Sequence, residues 1–147
     1  MEQVKMDHDS KSSDSDEECD KKLKLFSAII IGNLKVVQNL LTAGVKTNIV
    51  DKNNKDNTPL HYATEKNKKD LVKELLHPKW KTDINARNKR GDTPLHIAVS
   101  KGFEDIVQIL LKHNAKVDVR NNSGSTSRDV AGIINNEKIT QMLCKVY

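Results

Sequence analysis

The sequence predicts an all-α solenoid of stacked helix-turn-helix units, and three observations carry that prediction. Asn57-Thr58-Pro59-Leu60-His61-Tyr62-Ala63 returns as Asp92-Thr93-Pro94-Leu95-His96-Ile97-Ala98. Each copy leads into the same apolar pattern, Asp70-Leu71-Val72-Lys73-Glu74-Leu75-Leu76 after the first and Asp105-Ile106-Val107-Gln108-Ile109-Leu110-Leu111 after the second. The spacing is regular, 35 residues from Thr58 to Thr93 and 33 from Thr93 to Thr126. Self-similarity at such a period means one supersecondary unit stacked on copies of itself.

The elements follow in chain order. Leu25-Phe26-Ser27-Ala28, then Gly32 and the run Leu34-Lys35-Val36-Val37-Gln38-Asn39-Leu40-Leu41, fit a first helix pair. Gly32 takes the turn between helices, where a residue at positive φ costs little only for glycine or asparagine. Asn67, Gly102 and Asn135 hold the matching positions later, and Gly44 and Asn114 follow second helices. Thr58 and Thr93 suit helix N-caps, where a hydroxyl accepts from an otherwise unpaired N–H. Pro59 and Pro94 fall at the first helical position, which needs no donor. Leu60 with Ala63, and Leu95 with Ala98, lie three apart on one helix face. Thr126-Ser127-Arg128-Asp129-Val130-Ala131 is a degraded start, and Ile139, Met142 and Leu143 keep its second helix apolar on one side.

Thr-Pro-Leu-His-x-Ala at this period closely resembles the ankyrin repeat. The resemblance implies four repeats near residues 21–52, 53–87, 88–120 and 121–147, joined by short β-hairpin loops. Terminal copies are expected to depart from the pattern because their outer faces meet water. His61 and His96 sit at equivalent points of separate repeats with no second ligand nearby, so they are expected to hydrogen-bond backbone at the turn. Repeat two is longer than repeat three by two residues, placed at His77-Pro78-Lys79-Trp80-Lys81-Thr82, where proline ends the helix. The stretch Asp51–Asn57 also carries extra residues. Trp80, the one tryptophan, is expected to fold its ring over the helix end as a cap, with a partner contact as the alternative.

Composition limits the function classes. At 147 residues the chain is one domain by length. A hydrophobic fraction of 36% with five aromatic residues would be thin for a globular core, but stacked helices share apolar faces. No run of 18 apolar residues suggests a membrane span, and the polar start Met1–His8 does not read as a signal peptide. Cys19 and Cys144 stand at opposite ends, which argues for reduced thiols and a cytoplasmic or nuclear protein. Neither zinc spacing nor a phosphate-binding glycine loop or nucleophile motif is present, so no metal, cofactor or enzyme activity is expected.

Residues 1–20 are a different material. They hold eight acidic and two basic side chains and no aromatic ring. Such a segment cannot bury enough apolar area to offset its ordering entropy, so it is expected to be disordered. It carries −6 and residues 21–147 carry +11, within a chain of net charge +5. Ser13 and Ser15, each three residues before an acidic side chain, resemble acid-directed kinase sites.

In ankyrin-repeat proteins the hairpin tips and first-helix ends line a concave face that binds partners. The resemblance therefore implies partner contacts at Ile30, Ile31, Asn54, Lys55, Asn57, Lys66, Lys89, Arg90, Asp92, Lys101, Asn122 and Ser123. Glu65, Ser100, Ser125, Ile133 and Ile134 occupy further matching positions. The middle of this surface is basic and its ends are apolar. The expected function is a non-catalytic, monomeric protein-interaction module, an adaptor or inhibitor with an acidic protein partner. The layout of acidic serine-bearing segment and repeats also resembles ankyrin inhibitors of Rel-type transcription factors (I-kappa-B-like). Those have more repeats and a degron beginning Asp-Ser-Gly, whereas Lys11 follows Asp9-Ser10 here. The length resembles small kinase inhibitors as well. Salt-dependent nucleic-acid binding through the basic repeats is a third reading, raised by a pI of 9.1, but aromatic residues for base stacking are not interleaved with the lysines.

Overall fold

The computed structural model describes residues 2–145, with side chains described from residue 16 onward. Eight α-helices follow one another among them: α1 (Glu2–Ile31), α2 (Leu34–Thr42), α3 (Pro59–Glu65), α4 (Lys69–Leu75), α5 (Pro94–Lys101), α6 (Glu104–Lys112), α7 (Ser127–Ile134) and α8 (Glu137–Cys144). One 3-10 turn, Pro78–Trp80, lies between α4 and α5. No strand occurs among the described residues; an isolated antiparallel bridge joins Asp51 to Asn57. Helices α1, α3, α5 and α7 stack in one layer and α2, α4, α6 and α8 in a second, giving the all-α solenoid of four helix pairs that the sequence predicts.

Local chemistry explains each pair. Thr58 and Thr93 accept the N–H of His61 and His96 at 3.3 Å, and Pro59 and Pro94 open the helices behind them. A cap of this kind is worth about 1 kcal/mol. The helix-to-helix turns carry Gly32, Asn67, Gly102 and Asn135, all at positive φ. Second helices start on Asn33 and Asn136, whose side chains accept from Val36 and Ile139.

The core runs the length of the stack. Leu25, Leu60 and Leu95 are buried at one register, and Val37, Val72 and Val107 at another. Phe26 meets Tyr62 edge-on at 5.3 Å between the first and second pairs. The last pair breaks both columns. Arg128 stands where leucine stands before and donates to the Leu143 carbonyl at 3.3–3.4 Å, while Thr140 replaces the valine. This is the polar departure expected of a terminal repeat.

The first helix differs from expectation at its start. Composition assigns residues 1–20 to disorder, but Asp16–Asp20 lie within α1 as exposed helix. Pairs one turn apart, Glu18 with Lys22 at 3.3 Å and Asp20 with Lys24 at 3.0 Å, carry the helix back into the acidic stretch. The Ser13 and Ser15 side chains lie outside the described residues.

Candidate functional site

Hairpin-like loops between the pairs stack on one another through main-chain and asparagine bonds. Lys89 N–H donates to the Lys55 carbonyl at 2.8 Å, and Asn122 N–H to the Arg90 carbonyl at 2.9 Å. Within one loop, Asn88 Oδ1 accepts from Arg90 and Asp92 N–H; in the next, Asn121 Oδ1 accepts from Ser123 and Ser125 N–H. Their amide groups reach back one repeat, Asn88 to Asn57 Oδ1 at 2.9 Å and Asn121 to Asp92 Oδ1 at 3.0 Å. The loop tips are thereby held at fixed spacing and their side chains project from a rigid edge.

The two histidines fasten this edge to the first helices. Thr58 N–H donates to His61 Nδ1 at 3.1 Å, which leaves the proton on Nε2 to donate to the Asp92 carbonyl at 2.8 Å. His96 repeats the arrangement with Thr93 N–H and the Ser125 carbonyl at 3.0 Å. Both are buried, in the structural role that the sequence assigns them. Burial is the largest influence on His61 and holds its pKa below 6.5, against an upward pull from the Asp92 carbonyl bond and the Asp92 and Glu65 charges. Burial, and then the hydroxyl's bond to Asp51 Oδ2 at 2.6 Å, push the Tyr62 pKa up to about 12.

Between the loop tips and the first-helix ends lies a groove of about 310 Å³. Lys55, Arg90 and Lys101 line it with Glu65, Asp92 and Ser100, and Ile97 and Val130 form apolar ground. Of the residues expected to contact a partner, Lys55, Asn57, Arg90, Asp92 and Lys101 meet here. Asn57 is 3% exposed and its side-chain oxygen accepts from Asn88, so it braces the loops at the floor of the groove. Lys66, Lys89, Asn122 and Ser123 are exposed beside the groove without lining it. Asn54 is exposed but donates its amide to the Tyr62 hydroxyl at 2.8 Å. Ile30 and Ile31 stand apart: both are exposed, and Ile31 lines a separate groove with Leu23 and Val36 on the outer side of the first pair. Ile97 and Val130 were not among the expected contacts. Tyr62, Ile97 and Val130 fall at one register of the motif, and the recurrent apolar character there is the signal that marks them.

Trp80 takes the capping position. It is half-buried in the 3-10 turn, and its Nε1 donates to Glu74 Oε2 on α4 at 2.9 Å. Among the described residues no three His, Cys, Asp or Glu side chains gather as metal ligands. Nor is any helix among them long and apolar enough to cross a membrane.

Comparison with known proteins agrees with the fold. A family model described as ankyrin repeats, three copies, matches residues 5–88, 25–121 and 79–146. The Fowlpox virus (strain NVSL) ankyrin repeat protein FPV223 is 48% identical to this chain over 52 residues, or 35% of the chain. The matched part spans 36% of that relative's length, about a third.

Proposed function

Since the chain belongs to the ankyrin-repeat family, whose repeats generally mediate protein–protein interactions, we propose that it is a non-catalytic binding module. It acts as an adaptor or inhibitor and takes an acidic protein surface on the face centred on Lys55, Lys89, Arg90 and Lys101. The observation that carries this reading is the groove into which two successive repeats deliver Lys55, Arg90 and Lys101 around Ile97 and, from the next repeat, Val130. Lysine and arginine there steer an acidic partner toward the face, and the apolar ground supplies the area that holds it. Glu65 and Asp92 interrupt the positive field, which favours a partner with placed carboxylates over a uniform polyanion. The module works as a monomer in the cytoplasm, the nucleus or both.

The test is affinity capture from cell extract with the full chain and with a Lys89→Glu/Arg90→Glu variant. A partner captured by the parent chain and lost with the charge reversal supports the reading. Undiminished capture of the same partner by the variant contradicts it.

A further inference from the structure

The loops that leave the second helices build a surface separate from the groove above. Lys46, Lys81 and Lys116 lie in these loops, one per repeat, and all three are exposed. Between the first two loops lies a groove of about 370 Å³. Leu41, Val45 and the half-buried ring of Trp80 line it, Lys46, Lys79 and Lys81 rim it, and none of its lining residues is a carboxylate. The two-residue insertion that sets repeat two apart is its cause. Pro78–Trp80 winds into a 3-10 turn and Lys81 adopts positive φ, which sets tryptophan and two lysines against the preceding loop.

This groove is held in place before any ligand arrives. Asn48 Nδ2 donates to the Lys81 carbonyl at 3.2 Å, and Asp83 N–H returns to Asn48 Oδ1 at 2.9 Å. The bond from Trp80 Nε1 to Glu74 fixes the indole. Little ordering cost therefore remains for binding.

We infer that this groove is a second docking site, for an extended acidic segment of a partner protein that carries an apolar side chain between carboxylates. The apolar side chain enters between Leu41, Val45 and Trp80, and carboxylates meet Lys46, Lys79 and Lys81. In an extended chain, alternate residues face one way about 6.6 Å apart, so the carboxylates stand two residues to either side of the apolar one. Nucleic acid fits less well, because the single ring here is half-buried and has the Lys79 ammonium 5.0 Å from its centroid, which is no platform for stacked bases. A lipid surface fits less well too, since its binding needs apolar side chains that project outward and these are recessed.

Trp80 is the one tryptophan, so its emission reports on the groove directly. The full chain is titrated with the blocked peptide Asp-Glu-Ser-Leu-Ser-Glu-Asp, with a peptide bearing serine for leucine, and with one bearing glutamine for both glutamates. Phosphatidylserine vesicles and oligothymidylate serve as the competing anions. The expected result is a saturable shift of Trp80 emission by the first peptide and binding weaker by about tenfold or more for the other two. A Lys46→Glu/Lys79→Glu variant and, independently, a Lys46→Gln/Lys81→Gln variant bind a fluorescent form of the first peptide about tenfold or more weakly. Lys89→Glu/Arg90→Glu leaves that affinity unchanged, which separates this site from the function proposed above. The inference is overturned by an emission that does not move up to millimolar peptide, by full affinity in either groove variant, by loss in the Lys89→Glu/Arg90→Glu variant, or by vesicles or oligonucleotide acting at lower concentration than the peptide.

Discussion

Leu95 and Lys101 stand six positions apart on the same helix, α5, and their fates diverge. Leu95 is 1% exposed between two repeats, whereas Lys101 is open to solvent. Leu95→Ala removes packing on both sides and is expected to cost ~2–5 kcal/mol, while Lys101→Ala stays within about 0.5 kcal/mol. Urea midpoints check this, and equal shifts for the two variants count against the assigned helix faces. His61 gives a pH dependence of known sign. Its folded pKa lies below 6.5, so on acidification the unfolded chain takes up a proton that the folded chain resists. Its contribution is whole above about 6.5 and is lost as pH falls toward the lowered folded value. The parent chain is expected to lose more stability between neutral pH and pH 5 than His61→Gln does. Parallel losses in the two proteins contradict that role.

Elements were legible from sequence where a local rule sets them. Thr58 and Thr93 cap, Pro59 and Pro94 open, and Asn67, Gly102 and Asn135 close at positive φ, as their chemistry requires. What escaped the sequence depends on contacts between repeats. Asn57 is expected at the binding surface yet is buried, with the Asn88 amide reaching back onto its side-chain oxygen. Ile31 belongs by position to the first-helix ends, but on the first pair that position faces the outer side of the stack. Loop and helix glycines make a paired test. At Gly91, φ is +78° and an added Cβ would lie 2.6–2.7 Å from Asn122 and Arg87 atoms, whereas nothing lies within 4 Å of such a carbon at Gly132 in α7. Gly91→Ala is expected to destabilise by more than about 1 kcal/mol and Gly132→Ala to stabilise by about 0.4–1 kcal/mol. Thermal or urea unfolding reads both, and tolerance at Gly91 contradicts the stacked-loop geometry.

At the scale of the whole molecule, layers of helices are tied mainly by shared apolar faces. Surface pairs between second helices, Lys69 with Asp105 at 2.7 Å and Lys138 with Glu104 at 3.2 Å, are exposed to solvent screening and contribute little. Such a stack should unfold as coupled repeats, so Leu95→Ala should lower the signal of Trp80 and the far-ultraviolet helix signal together, although Trp80 belongs to the preceding repeat. A Trp80 transition left in place while the helix signal moves contradicts that coupling. In the proposed function, stability and binding use different atoms: buried columns hold the stack, and the lysines and arginine on its edges are the groups offered to a partner. The central claim is that Lys55, Lys89, Arg90 and Lys101 guide an acidic partner to the face between loop tips and first-helix ends. Its most direct measurement is the association rate of a captured partner with the parent chain and with Lys89→Glu/Arg90→Glu, across a range of salt. The account predicts a slower rate for the variant and a shallower salt dependence, because clustered charge acts mainly on encounter; an association rate and salt slope unmoved by the double reversal would contradict it.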